Sequence, residues 1–356
     1  MATYSSKSLA VKYRPRTFEE IVGQSNITNI LKNQIETKTF RNTVLFTGPA
    51  GCGKTTSARA FAKLLNRGKG TPIEIDAASN NGVDNVRDII VKAQQKSLDS
   101  EYKIFIIDEC HAISNAGWQA FLKLIEEPPA NTVFIFCTTD PQKIPATIIS
   151  RVQRFDFKRI SFAQIVERLK FICESEGYAV IDEKCDTATE KCVSVQAISH
   201  IAKLCDGGMR DGITSLDKCL AHSNQVMLST VIDTLGSVDY ETYFNLTNAI
   251  FNYEEADVIS IIENCYRDGV DLKQFTKQFT LFLLDVCKFC VFNNFDYIQI
   301  PSMYEKHLMP FTSDAAKEFL KYLLGEINKL NSDIKWESSV KNMVELKLLL
   351  LTQPEN

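Results

Sequence analysis

No apolar run in this 356-residue sequence approaches the length needed to cross a bilayer. The nearest, FTLFLLDVCKFCVF over 279–292, is broken by Asp285 and Lys288, so no membrane is expected among the partners. The opening MATYSSKSLAVKYRPRTF has no apolar core of the kind that directs secretion, which makes the cytoplasm the expected compartment. There is no low-complexity tract and no repeat of fixed period, which argues against a solenoid or a disordered chain. Clustered cysteine is lacking too: the eleven cysteines are scattered singly and read as reduced, mostly buried thiols. Cys287-x-x-Cys290 has a metal-like spacing, but it lies on an apolar helical stretch with no second pair and no nearby histidine. It reads as core.

What is present is ordinary in bulk and uneven in distribution. The chain is 45% hydrophobic and 24% charged, enough apolar material for two or three domains. Through Ile160 there are 22 Lys and Arg against 15 Asp and Glu, a net +7; the remainder has 18 against 29, a net −11. A basic first half permits a polyanion surface, and equally permits solvated helix faces.

The first 160 residues alternate strand-like runs (TVLFTG, IEIDA, KIFIID, VFIFCTT) with amphipathic stretches such as KTTSARAFAKLLN and VDNVRDIIVKAQQK. Alternation of this kind implies a parallel sheet covered on both faces by helices. After Ile160 the strand signals nearly vanish. SFAQIVERLKFICESEGY opens on Ser161 as a helix cap and ends at Gly177, and helical patterns then continue to the end of the chain. The expected organisation is an α/β domain at 1–160, a small helical domain at 161–237 and a larger all-α domain at 238–356, the last boundary resting on the turn-like LGSVDYET.

Chemistry enters with GPAGCGKTT at 48–56, which fits G-x-x-x-x-G-K-[ST] directly after a strand and before an amphipathic helix. Gly48, Pro49, Ala50, Gly51, Cys52 and Gly53 form the loop whose backbone N–H groups would close around phosphate oxygens. Lys54 is expected to reach the β- and γ-phosphates of ATP and Thr55 to hold Mg2+, with Thr56 beside it on the helix. KIFIIDECHA then ends a buried strand on Asp108 and Glu109. Asp108 is expected to support the metal, and Glu109 to orient or deprotonate the attacking water. The pattern points to an ATPase.

Seven segments follow one another in an order that resembles the AAA+ clamp loaders: KYRPRTFEEIVGQ, GPAGCGKTT, IEIDAASNNGVDNVRDI, IIDECHAIS, LIEEPP, TTDPQKIPATIISR and GGMRDGITSLDK. Within that family the sequence is most similar to the gamma/tau ATPase subunits of bacterial DNA polymerase III, and more distantly to the small subunits of replication factor C. The likeness runs from Leu9 to Asp217 and continues more weakly into VIDTLGSVDYETYFNLTNAIF. It implies an AAA+ P-loop domain, a helical lid and an all-α collar that holds subunits together.

The resemblance also implies roles that the motifs alone leave open. Arg14, Pro15 and Val22 would line the base pocket, with Phe18 in the core. Thr139 would sense the γ-phosphate, Thr138 remaining an alternative. Arg210 would close the lid onto the nucleotide in the same subunit. Arg151, in Ser-Arg-Val where the family has Ser-Arg-Cys, would reach the ATP of a neighbouring subunit, with Arg154 as a rival. Arg87, Lys123 and Lys143 would track primer-template DNA, although each could equally be a solvated helix cation. The implied partners are other loader subunits in a ring, expected to be pentameric, the sliding clamp, and primed DNA. ATP binding would assemble a spiral that opens the clamp, and DNA would trigger hydrolysis and release.

The sequence departs from the bacterial pattern in one place. Between the phosphate-loop helix and the next strand, AKLLNRGKGTPIEIDAAS has no cysteine or histidine, so the family's zinc module cannot be built and no zinc is expected. That loss fits a pared-down loader from a bacterium or from a virus in its host cell, and the end at Asn356 suggests the short gamma-like form. Two other readings stay open: another AAA+ motor such as a branch-migration helicase, and a structural loader subunit that does not hydrolyse ATP.

Overall fold

The computed structural model describes residues 8–80, 82–97, 99–182, 191–236, 238–295, 297–298, 300 and 304–352. The short-form reading, which turns on the last residues, lies outside them. The chain divides into two compact units, Met1–Gln225 and Val226–Asn356.

The first unit is built on five parallel strands: β1 (Thr43–Thr47), β2 (Ile73–Asp76), β3 (Lys103–Asp108), β4 (Thr132–Thr138) and β5 (Gln153–Asp156), in the order β2-β3-β4-β1-β5. The helices of this unit are α1 (Leu9–Lys12), α2 (Ser25–Glu36), α3 (Lys54–Leu65), α4 (Val83–Gln94), α5 (Asn115–Glu126), α6 (Ala146–Ile149), α7 (Phe162–Ser175), α8 (Val195–Leu204) and α9 (Met209–His222). Every residue of β1 and β4 is buried, because both faces of these strands are covered. The period of two along each strand sorts their side chains into separate cores. Val44, Phe46, Ile104, Ile106, Val133 and Ile135 pack with Leu31 of α2 and Phe61 of α3. Leu45, Phe105, Ile107, Phe134 and Phe136 pack with Ile89 of α4 and Trp118 and Phe121 of α5. On that second face Phe105 and Phe134 stack at 5.2 Å, and Phe121 meets Phe136 edge-on at 5.7 Å.

Four of the strands are those expected from the sequence; β5 is an addition. Of QRFD only Phe155 is buried, so this short edge strand, paired to β1 alone, carries almost no apolar signal. The consequence of the strand order is that β3, β4 and β1 lie side by side. Their carboxyl ends bring Asp108, Thr138 and the 48–53 loop to one edge of the sheet, where ligands of open α/β sheets bind.

α7 opens on the capping box expected at Ser161: its hydroxyl accepts from the Gln164 backbone N–H, and the Gln164 side chain reaches back to the backbone N–H of Ser161. Between α7 and α8 the structure adds two short parallel strands, β6 (Ala179–Ile181) and β7 (Cys192–Ser194), to the helical lid.

The second unit is helical. Its longest helix, Leu272–Phe292, buries Phe275, Phe279, Phe282 and Phe289 along one face, and Asp314–Asp333 contributes Leu320, Leu323, Ile327 and Leu330 to the same core. Cys287 and Cys290 pack against this core, and the Cys290 thiol donates to the Phe311 carbonyl at 3.1 Å. The two charges that interrupt the apolar run pair with each other, Lys288 Nζ to Asp285 Oδ1 at 3.2 Å. Among the described residues no helix is long and apolar enough to cross a membrane.

Candidate active site

The loop after β1 is held to the sheet by the Gly48 N–H, which donates to the Thr138 carbonyl at 3.3 Å. Gly48 has φ +146°, and a Cβ there would sit 2.5 Å from the Phe157 carbonyl oxygen, so only glycine allows this approach. Gly51, at φ +69°, lies against Gly208 of the lid, where a Cβ would meet the Gly208 Cα at 3.0 Å. α3 then begins at Lys54 with Gly53 as its N-cap and no side-chain cap. The first turn of such a helix leaves N–H groups with no intrahelical acceptor, at the positive end of the helix dipole.

The side chains around this loop are tightly specified. Lys54 is 6% exposed, and its ammonium donates to the Gly48 and Pro49 carbonyls at 2.8 and 2.7 Å. Thr55 Oγ1 donates to Asp108 Oδ2 at 2.7 Å, which joins the phosphate loop to the end of β3. Glu109 adopts a left-handed backbone (φ +46°, ψ +42°), uncommon for a residue with a Cβ, and this turns its carboxylate back over the sheet edge. There Glu109 Oε2 accepts from Thr139 Oγ1 at 2.9 Å and lies 3.3 Å from His111 Nδ1. Thr138 is buried and engaged otherwise: its hydroxyl accepts from the Asp140 N–H at 3.0 Å and faces His111 Nδ1 at 3.1 Å. Of the two threonines, Thr139 is the one that touches the acidic pair.

A cavity of about 410 Å³ opens in front of these groups. Ala50 through Thr56, Asp108 and Glu109 form one side, and Arg14, Pro15, Val22 and Arg210 join them. Gly48 and Pro49 lie beneath it, reached through Lys54, and Thr139 is reached through Glu109. Phe18 is buried in the core. Other lining residues have no role assigned from the sequence: Tyr13, Met209 and Ile213 lie within the seven segments of the resemblance, Arg59 and Arg168 outside them. Arg59 sits five residues after Lys54 on α3, and Tyr13 adjoins Arg14, so proximity to known positions is the only sequence signal they give.

Two features of the cavity bear on what it can hold. Its cations crowd one another: the Arg14 guanidinium is pushed below its ordinary pKa, first by burial and then by the nearby charges of Arg59 and Arg210. Like charges gathered at a helix N-terminus are relieved by a polyanion. The other feature is apolar lining, contributed by Ala10, Ile21, Val22, Ile160 and Ile213, of a kind that suits a flat base. The donor set therefore fits a nucleoside triphosphate. A Mg2+ ion would find Thr55 and Asp108 side by side, completed by phosphate oxygens and water.

The lid is fastened to this site directly. The Met209 N–H donates to the Gly51 carbonyl at 3.1 Å, and the Leu9 N–H donates to Asp217 Oδ2 on α9 at 2.9 Å. Lys12 Nζ and Tyr13 Oη both donate to Glu176 Oε1, at 2.6 and 2.5 Å, and Arg168 of α7 donates to the Tyr13 carbonyl at 3.2 Å. Burial would raise the Glu176 pKa, but the hydrogen bonds from Lys12 and Tyr13 hold it below the usual carboxylate value. Gln24, buried, spans the Cys52 and Lys158 carbonyls and so braces the loop from behind.

The remaining sequence candidates are not in the cavity. Arg151 follows α6 on the surface, paired with Glu126 at 2.6 Å. Arg154 lies on edge strand β5, tied to Asp156 at 2.7 Å. Arg87 pairs with Asp84 at 3.0 Å and Lys143 with Asp140 at 3.2 Å, both largely exposed, and Lys123 is exposed on α5.

This arrangement has relatives. Residues 226–353 match the family described as DNA polymerase III subunits gamma and tau domain III, and residues 71–161 match the family described as DNA polymerase III, delta subunit. The DNA polymerase III subunit tau of Bacillus subtilis is 30% identical over 98% of this chain. The chain is a relative of the DNA polymerase III gamma and tau subunits. The tau subunit of Escherichia coli is 32% identical over 75% of this chain. The chain spans 64% of the length of the Bacillus subtilis relative and 43% of the Escherichia coli one. In fold, the chain is similar to the Thermotoga maritima RuvB Holliday junction branch migration motor, with a TM-score of 0.50 at 18% identity, covering 67% of this chain and 79% of that one. The α/β part has the AAA+ fold, and the helical C-terminal part matches domain III of the gamma and tau subunits.

Proposed function

We propose that the chain is an ATP-hydrolysing subunit of a sliding-clamp loader that acts in DNA replication. The observation that carries this reading is the cavity, lined by the 48–56 loop, an acidic pair, crowded arginines and an apolar set, in a relative of gamma and tau subunits.

Arg14, Pro15 and Val22 wall the base, and the 48–56 loop holds the phosphates with Lys54 at their β/γ end. Lys54 exchanges its two carbonyl acceptors for phosphate oxygens on the same side of the loop. Bound Mg2+, on Thr55 and Asp108, would draw off charge developing on the phosphates. Glu109 takes the proton from the attacking water. As folded, its Oε2 is engaged by Thr139 and His111, so activity requires that carboxylate to be turned toward the water. Thr139 couples that turn to the γ-phosphate, and Arg210, at the start of α9, couples it to the lid. Arg151 projects from the surface to the ATP of the next subunit, where a finger of this kind is worth roughly 10³–10⁵ in rate.

In this reading residues 1–160 form the motor, 161–237 the lid and 238–356 the collar of a ring, a pentamer with other loader subunits. Arg87, Lys123 and Lys143 face the phosphates of primed DNA, reading duplex shape and not base sequence. The likeness to a branch migration motor concerns the fold alone, at 18% identity.

Steady-state ATP hydrolysis tests the proposal: the chain alone, with primed DNA, and with DNA plus the sliding clamp of the same source. Synergy between DNA and clamp supports a loader. A rate indifferent to the clamp points to another motor, and no turnover in a complete assembly points to a structural subunit.

A further inference from the structure

Arg151 is exposed, yet its guanidinium is already fixed on two sides. Its Nε donates to Glu126 Oε1 at 2.6 Å, and its Nη1 donates to the Thr147 carbonyl at 2.8 Å and approaches Ser150 Oγ at 3.3 Å. Among the described residues Nη2 has no partner. The backbone beneath is held as well, since the Arg151 N–H donates to the Ile148 carbonyl at 2.9 Å. Glu126 is the last residue of α5, which packs on α6, and the helix stops there ahead of Pro128 and Pro129. The carboxylate thus stands at the negative end of α5, where a cation is favoured.

Folding gives little reason for this contact. The two side chains are 40% and 48% exposed, and an ion pair so open to solvent contributes little to stability. Nor do both nitrogens of the fork that usually grips a carboxylate face Glu126. Nε alone is used, and among the described residues the terminal Nη2 is left without a partner. An arginine that must reach a γ-phosphate on another molecule loses rotamer freedom when it does so, unless its own subunit has already fixed it.

Resting on the reading of Arg151 as a finger in trans, we propose that Glu126 is its positioning residue: a carboxylate that holds Nε toward the home subunit, beside the Thr147 carbonyl that holds Nη1, and leaves Nη2 for the neighbour's ATP. Glu126 touches no nucleotide itself. Arg154 has no comparable support, since its carboxylate partner, Asp156, lies on its own strand and is also bound by Thr47.

The test separates the chain that donates the finger from the chain that holds the nucleotide. Arg151→Ala chains keep a site but no finger; Lys54→Ala chains keep a finger but lose the site. Mixed in the assembled loader, with ATP, primed DNA and clamp, they should recover hydrolysis that neither shows alone. Glu126→Ala on the Lys54→Ala chain should then lower the recovered rate by about tenfold to a hundredfold, the loss expected from a misplaced catalytic group. Glu126→Gln, which keeps an acceptor for Nε, should lose less. The same substitution on the nucleotide-holding chain should not reproduce the loss, and ATP binding by the lone chain should be unchanged. A loss that follows the nucleotide-holding chain, or a rate that rises when Glu126 is removed, overturns the proposal; the latter would make Glu126 a restraint. No recovery in the unmodified mixture sinks the trans finger, and with it any role for Glu126, whereas recovery that ignores Glu126 leaves the finger standing and removes only its support.

Discussion

The two units bury their cores in opposite ways. In the first, continuous apolar strands are sealed on both faces, and everything reactive is displaced to the carboxyl edge of the sheet, where Lys54, Asp108, Glu109 and Thr139 meet. In the second, aromatic rings themselves are the interior: Tyr243, Phe244, Phe275, Phe279 and Phe282 lie within 4.8–6.2 Å of one another in successive ring contacts. The first unit gathers charge at a surface that a ligand must complete. The second completes itself with hydrocarbon. Substitutions should therefore separate chemistry from stability according to the unit they fall in.

The largest effect expected is on turnover. Glu109→Gln should cut hydrolysis in the assembled loader by about 10²–10⁴-fold, the range for loss of a positioned general base, while nucleotide binding persists. Equal loss of binding would show that Glu109 holds the ligand, and an unchanged rate would remove it from the chemistry. The converse falls in the second unit. Phe279→Ala empties a fully buried site and should cost roughly 3–5 kcal/mol in denaturant unfolding of that unit. Nucleotide affinity of the lone chain should not change; if it does, the two units are less independent than their cores suggest.

A smaller effect is expected from acid. Because Glu176 titrates below its ordinary value in the folded chain, its contribution is present above the unfolded pKa near 4.5 and is lost as pH falls through the folded value. Protection of the Leu9–Tyr13 amides from hydrogen exchange, relative to the unstructured rate at each pH, should begin to fall below about pH 4.5, and Glu176→Gln should lower it at neutral pH too. Exchange that stays slow in the variant would mean that the Asp217 and Arg168 contacts suffice. The smallest effect concerns thiols. Burial raises the Cys110 and Cys137 thiols well above their usual value and Cys173 to about 12, so these three should react slowly with a thiol reagent in the native chain and quickly in the unfolded one.

How much of this was legible in the sequence follows the same division. The phosphate loop and the acidic pair were readable because backbone geometry demands glycine and chemistry demands Lys, Thr, Asp and Glu at fixed spacing. The three inner strands, β1, β3 and β4, were readable because burial on both faces makes an unbroken apolar run, and edge strand β2 because its isoleucines alternate with charge. β5 was not, since an edge strand with one buried residue has no such run. Arg59 and Arg168 were invisible for another reason: nothing in their local sequence records that α3 and α7 converge on one cavity. The choice between Thr138 and Thr139 was undecidable from alternation at a strand end. The left-handed turn at Glu109 brings its carboxylate to Thr139.

The fastening of the opening segment to α7 and α9 redraws the parts list of the molecule. Leu9, Lys12 and Tyr13 are first in sequence, but Asp217, Glu176 and Arg168 hold them. A chimera that takes its lid from a relative by exchanging 161–225 alone would sever every one of those bonds and leave one wall of the cavity without an anchor. The exchangeable module is discontinuous: the lid has to travel with residues 9–15, and a graft cut along the chain instead of along its bonds should come apart at the cavity.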